Sequence, residues 1–592
     1  MESHLVRLCL ESACSSREAV DRWRLQRRTL DRMPPHLAHA LLRRLLQRRL
    51  LHPSLLEAFK NCVEEFDLNG EVLVDAEWLA YIGGFQHLCC LRAADCYRIT
   101  SSALWAITGL STMKELDLSR CVKVNDAAVK HILSLSSLEK LSISETAITS
   151  DGISLLGSLL SLSELDLGGL PVTDQTLISL QVLKNLRHLN LWGSKVTDVG
   201  AVILGKFPKL NFLNLAWTKV SALPRLPALE YLNISNCVIS SIFGWTGNKA
   251  PLSQLIISGA NFPNMEEALM NIDTSLFTFL DVSHSFLPNF GFLSGMSSLE
   301  HLDLSSSGIK DDSLELFAKI GSKLRYLNLS KTGVTSDGVS VLAGYVPKLE
   351  VLSISHSLID DLALAYIGTI SSLKDLDLSH TRIKGITSKD TTSEHRHLSL
   401  TALRSLQLER LNIEQTLVQD DTLLPLCHLT ELRHLSLQNN HLTDLSLHQL
   451  SPLQKLKTLG FRDAVLTARG LELYKPPKSL EMMDLTGCWL LSVDALKEFQ
   501  RKHPRIHLRH EHILSLESHP SSGRYKTREN AKCGFKHRAS EKLSVSSYFF
   551  DQRLKYDREE LLALRISTFP LRLSDKDHAI FKTNLGQMFF SP

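Results

Sequence analysis

One pattern constrains this 592-residue chain more than any other: Leu-x-x-Leu-x-Leu, returning mostly every 24 or 25 residues. Clear copies stand at Leu116-Asp117-Leu118, Leu141-Ser142-Ile143, Leu165-Asp166-Leu167, Leu189-Asn190-Leu191 and Leu213-Asn214-Leu215. The series runs on through Leu232, Leu255, Leu280, Leu302, Leu327, Leu352, Leu376, Leu411, Leu435, Leu459 and Met483, with weaker copies around Phe66 and Leu91. This makes roughly 16 to 18 units. A unit this short cannot bury its apolar side alone, so neighbours must stack into one continuous core. Alternation within each short strand sends Leu or Ile inward and polar residues to the opposite face.

The pattern is that of a leucine-rich-repeat array. Three residues after the last core position sits a small polar group, at Cys96, Cys121, Thr146, Ser194, Thr218, Cys237, Thr332, Thr381, Thr416, Asn440 and Cys488. Such a ladder is expected to satisfy backbone groups where the chain leaves the strand, and it makes four of the cysteines buried structural thiols. A helix start follows, as in Val196-Thr197-Asp198-Val199-Gly200 and Val334-Thr335-Ser336-Asp337-Gly338, with Thr and Asp as N-caps. Helix-bearing units of this length resemble the intracellular ribonuclease-inhibitor-like class. That resemblance implies an α/β solenoid curved into a horseshoe over residues 61–512. Two irregular steps stand out. Leu213 to Leu232 spans only 19 residues and contains Leu223-Pro224-Arg225-Leu226-Pro227, which predicts a unit without its helix. Leu376 to Leu411 spans 35, an insertion holding the polar run Thr387–Glu394.

Residues flanking the core leucines are predicted to face the concave side. Three consecutive units bring His188 and Trp192, Phe212 and Trp217, and Tyr231 to or near that face, a set suited to holding a protein partner. A row of Asp or Asn (Asp117, Asp166, Asn190, Asn214, Asn233, Asp281, Asp303, Asn328, Asp377) shares the middle strand position and reads as a repeat feature. No G-x-S-x-G, Walker loop, H-E-x-x-H or glycine fingerprint occurs, so neither catalysis nor a cofactor is expected. Eleven cysteines without a Cys-x-x-Cys pair argue against a disulfide framework or zinc ribbon, and no metal site is expected. No apolar run reaches membrane-spanning length and no secretory signal opens the chain, which together point to the cytoplasm.

Net charge is +3, unevenly spread. Residues 1–61 carry 12 Lys/Arg against 6 Asp/Glu, residues 513–592 carry 14 against 9, and the middle is left at about −8 by difference. An acidic body with basic ends does not suit direct nucleic-acid binding. Residues 1–60 read as helices capping the array. Leu5, Cys9 and Ala13 at spacing four resemble the box by which substrate receptors bind elongin C. Met33-Pro34 with Leu37 and Leu41 resembles the cullin-2 box that follows it, and more loosely an F-box opening. Zyg-type receptors of cullin ligases combine such boxes with leucine-rich repeats, so this resemblance implies a ligase-adaptor partner.

The tail, residues 513–592, is polar and basic at first, which predicts a flexible segment. A short helix is expected over 554–566. There Tyr556-Asp557-Arg558-Glu559-Glu560-Leu561-Leu562 resembles the Tyr-x-x-x-x-Leu-Φ segment of proteins that bind the messenger-RNA cap-binding initiation factor 4E. The resemblance implies that Tyr556 packs and hydrogen-bonds on the factor, Arg558 pairs with an acid, Leu561 fills an apolar slot and Leu562 is the Φ residue. Glu560 departs from 4G-type sequences, which usually carry an apolar residue there. A repeat array followed by such a tail resembles plant leucine-rich-repeat modulators of translation.

Overall fold

The computed structural model describes residues 4–24, 33–243, 251–387 and 397–511. Tyr556, Arg558, Leu561, Leu562 and the helix expected over 554–566 lie outside them, as does most of the polar insertion. The chain divides into two units, with the boundary between Phe279 and Leu280.

In the first unit the helices His4–Ala13, Arg17–Arg24 and Pro35–Gln47 and the 3-10 turn Pro53–Phe59 precede nine parallel strands, Glu65–Asp67 to Gln254–Ile256. The strand Phe279–Asp281 falls at the boundary, and the second unit carries nine more among the described residues, His301–Asp303 to His507–Arg509. The central apolar residues stay in register: Leu116 pairs with Leu141, Leu141 with Leu165, Leu165 with Leu189 and Leu189 with Leu213. Every one of them is buried. Truncating such a leucine to alanine costs about 2–5 kcal/mol, so each stripe is a major part of the stacking energy. The 19-residue step has no helix; Ala222–Leu223 forms a two-residue parallel pair with Ser241–Ile242 instead. The 35-residue step is flanked by an antiparallel pair, Ile386–Thr387 with His397–Leu398.

The polar ladder works in two ways. Thiols reach back one repeat: Cys96 donates to the Leu68 carbonyl, Cys121 to Ala93 and Cys488 to Phe461, at 3.1–3.2 Å. Hydroxyls stay home, Thr146, Thr218, Thr381 and Thr416 donating to the carbonyl three residues earlier at 2.7–2.8 Å. Asn440 is not part of the ladder. The buried residue is Asn439, whose side-chain amide donates to the carbonyls of Thr416 and Val418, each at 2.8 Å. The reason is local: the strand here runs five residues, His434–Gln438, and the left-handed residue found after most other strands is missing, so the chain turns one residue sooner.

The Thr-Asp-x-Gly starts hold repeats together. Thr197 is the N-cap of helix Asp198–Leu204. The aspartate does something else, accepting from the next repeat. Asp174 takes the backbone N–H and hydroxyl of Thr197 at 2.8 and 2.6 Å, and Asp198 takes those of Ser221 at 2.6 Å each. In the second unit Asp311 holds Thr335 and Asp420 holds Thr443 in the same way. Glycine follows because this carboxylate lies against it: a Cβ on Gly200 would come within 2.2 Å of Asp174 Oδ1, and one on Gly338 within 2.1 Å of Asp311 Oδ1.

Candidate functional site: the open sheet face and the N-terminal helix

On the face turned from the core, the Asp/Asn row closes each turn. Asp117, Asn214, Asn233 and Asp377 each accept the N–H two residues on, at 2.9–3.0 Å. At these four positions the side-chain oxygen caps backbone.

The row before the central leucines changes chemistry along the first unit. Glu115 meets Arg92, which follows its own central Leu91, at 2.7 Å, Lys140 meets Glu164 at 2.9 Å and His188 meets Glu164 at 3.5 Å. The hydrogen bond from His188, with help from Lys140, holds the Glu164 carboxyl down at about 2 against its burial. His188 then packs edge-on to Phe212 (5.5 Å), and Phe212 stacks on Tyr231 at 4.2 Å and 15°. Ile256 and Phe279 complete this apolar group.

The four aromatic residues expected as one partner-facing set separate into two groups. Phe212 (8 % exposed) and Tyr231 (5 %) belong to the stack; Trp192 (7 %) and the half-buried Trp217 pack with Ala216. The separation follows from the turn. Trp192 sits just past the strand His188–Asn190, and its ring lies over Gly168 and Gly169 of the preceding repeat; a Cβ on Gly168 would meet its Nε1 at 2.0 Å. Trp217 adopts φ 61°, the left-handed turn position. The Gly-Gly pair was the available signal, since two vacant side-chain positions one repeat before a tryptophan leave room for its ring.

The second unit pairs Arg410 with Asp375 at 3.6 Å, Arg509 with Asp484 at 3.9 Å and Arg462 with Glu414. Two stacked pairs escaped sequence reasoning, His301–Tyr326 and His356–His380, both at 3.9 Å. Either was findable by aligning the repeats, because the partners of each pair lie one repeat apart.

At the N-terminus, helix His4–Ala13 turns Leu5 (71 % exposed), Leu8 and Cys9 outward, with Ala13 half-exposed. Its inward side is Leu10, followed by Cys14, whose carbonyl accepts from Arg48 at 2.7 Å. Pro34 is exposed and Leu37 half-buried at the start of Pro35–Gln47, while Ala38, Leu41, Leu42 and Leu45 are buried. The Leu5–Cys9–Ala13 stripe is therefore not the side that closes the core.

Buried thiols carry no reactive chemistry, since burial pushes Cys96, Cys121 and Cys488 up to about 12. No cluster of metal-ligating side chains and no helix long and apolar enough to cross a membrane occurs among the described residues.

The family model described as Leucine Rich repeat matches residues 295–318 and 322–343. Solved structures of similar build include an internalin from Listeria monocytogenes (19% identity, 69% of this chain and 89% of that one, TM-score 0.32). A leucine-rich-repeat protein of Leptospira interrogans is 16% identical over 75% of this chain and 95% of that one, at TM-score 0.37. A plant peptide hormone receptor in complex with its peptide is 15% identical over 78% and 81%, also at 0.37. No curated protein matches the sequence.

Proposed function

We propose that this leucine-rich-repeat protein is a non-enzymatic cytoplasmic scaffold that docks on the cap-binding initiation factor 4E through its tail and modulates translation initiation. The observation that carries the reading is the heptapeptide Tyr556-Asp557-Arg558-Glu559-Glu560-Leu561-Leu562 beyond the last repeat, led in by Lys555. An amphipathic segment that lays a few anchors into a groove is a known recognition mode. The repeat array holds a further protein on its open sheet face, the use to which an extended repeat surface lends itself. The combination resembles the plant protein CERES, a cap-factor-binding modulator of translation. The test is calorimetric titration of the purified cap-binding factor with the full chain and with Tyr556→Ala/Leu561→Ala/Leu562→Ala. The intact chain binds and the triple variant does not; absence of binding by the intact chain would refute the reading.

A second reading, a substrate receptor of a cullin ligase, is favoured by one observation: Leu5 and Cys9 face outward on helix His4–Ala13 instead of closing the core. Under it, Leu5→Glu with Cys9→Glu abolishes capture of elongin C and leaves cap-factor binding unchanged. Failure of the unaltered chain to bind elongin C or an F-box-type adaptor would remove this reading.

A further inference from the structure

On the open face of the second unit, Asp281 and Asp303 belong to successive strands, the Val282 N–H donating to the Asp303 carbonyl at 3.0 Å. Asp281 is only 9 % exposed. Each carboxylate accepts the N–H two residues on, Asp281 from Ser283 at 2.9 Å and Asp303 from Ser305 at 2.8 Å; Asn328 also donates to Asp303 at 2.9 Å. Beside them the rings of His301 and Tyr326 lie parallel, 4° apart. Three other acids on this face have an arginine, Asp375 with Arg410, Glu414 with Arg462 and Asp484 with Arg509, while Asp377 forms no ion pair with a lysine or arginine among the described residues. Among the described residues no lysine or arginine forms an ion pair with Asp281 or Asp303. Burial, and for Asp281 the charge of Asp303, pushes both carboxyls up, with His284 acting the other way on Asp303.

We propose that Asp281 and Asp303, with the His301–Tyr326 platform, form a docking site for the chain's own basic segment, residues 524–542. Three observations select this occupant. That segment carries Arg524, Lys526, Arg528, Lys532, Lys536, Arg538 and Lys542 against only Glu529 and Glu541. A guanidinium fits the site twice over, bidentate on a carboxylate and flat on an aromatic ring. The reach also suffices. Eight strand spacings separate His507–Arg509 from His301–Asp303, about 40 Å at the usual sheet spacing. Residues 512–524 span about 44 Å when extended.

Hydrogen–deuterium exchange on the full chain, with no partner added, tests this. Amides of 524–542 exchange about tenfold slower in the unaltered chain than in Asp281→Asn/Asp303→Asn, and 0.5 M salt removes about the same factor. Arg524→Glu/Lys526→Glu/Arg528→Glu gives the same loss from the tail side, and decides alone if the aspartate variant fails to fold. Equal exchange in the unaltered chain and the tail variant overturns the proposal. Protection that rises with protein concentration assigns the segment to a second copy and overturns it as well. The measurement needs no cap-binding factor, so its failure leaves the cap-factor reading standing.

Discussion

Replacing Gly200 with alanine isolates the bond between repeats. Inside helix Asp198–Leu204 the exchange by itself is favourable by up to about 1 kcal/mol, since alanine is the better helix former. In this position the new methyl would lie 2.2 Å from Asp174 Oδ1 and 3.0 Å from Val196 Cγ1. The carboxylate has to move, and with it go the two bonds from Thr197 at 2.8 and 2.6 Å. Hydrogen bonds to a charged group are worth about 1.5–3 kcal/mol each, so after the helix gain the net cost is about 2–5 kcal/mol. Because repeat arrays open locally, the assay is hydrogen exchange across Asp198–Leu204, expected to quicken about thirty- to several-thousandfold. Gly109→Ala, with nothing within 4 Å of its Cβ, is the control and stays within about 0.5 kcal/mol. The decisive comparison is made in an Asp174→Ala background, where the cost of Gly200→Ala shrinks to near zero or reverses sign. An unchanged cost in that background would refute the argument, since the carboxylate would not be what the methyl displaces.

Gly168→Ala expels the Trp192 ring and destabilises the first unit by about 2–4 kcal/mol, read as a lower urea midpoint together with a shift in tryptophan emission. Glu164 gives a pH signature. Its folded pKa lies below the ordinary 4.5, so its contribution is complete above that value and is lost as the pH falls through about 2. His188→Gln raises the Glu164 titration seen by NMR and flattens the stability change in that acid window. With iodoacetamide at pH 8, exposed Cys9 is labelled first among the cysteines of the described residues; Cys96, Cys121 and Cys488, at about 12, are thiolate in only about one molecule in ten thousand and stay unlabelled until the array opens, as peptide-level mass spectrometry will show.

The repeat period, the strand positions, the buried leucines and the loss of a helix between Leu213 and Leu232 were all legible in the linear sequence. Each depends on spacing within one unit, and apolar periodicity records that spacing directly. The Cys and Thr ladder was legible as a position but not as a direction. Only the stacked structure shows that Cys121 reaches back to Ala93 while Thr146 bonds within its own repeat. The same limit applies to Asp174, which in isolation reads as a helix-start acid. Its partner Thr197 is 23 residues away, and stacking alone brings the two within hydrogen-bond distance. Trp192 read as a partner contact because strand alternation carried past the strand end points it outward, whereas the turn at Gly193 lays it over Gly168 and Gly169. The sequence by itself determined the repeating unit, because local pattern and burial share one period. The tertiary structure decided which groups meet, because in a solenoid most such contacts are made with a neighbouring repeat.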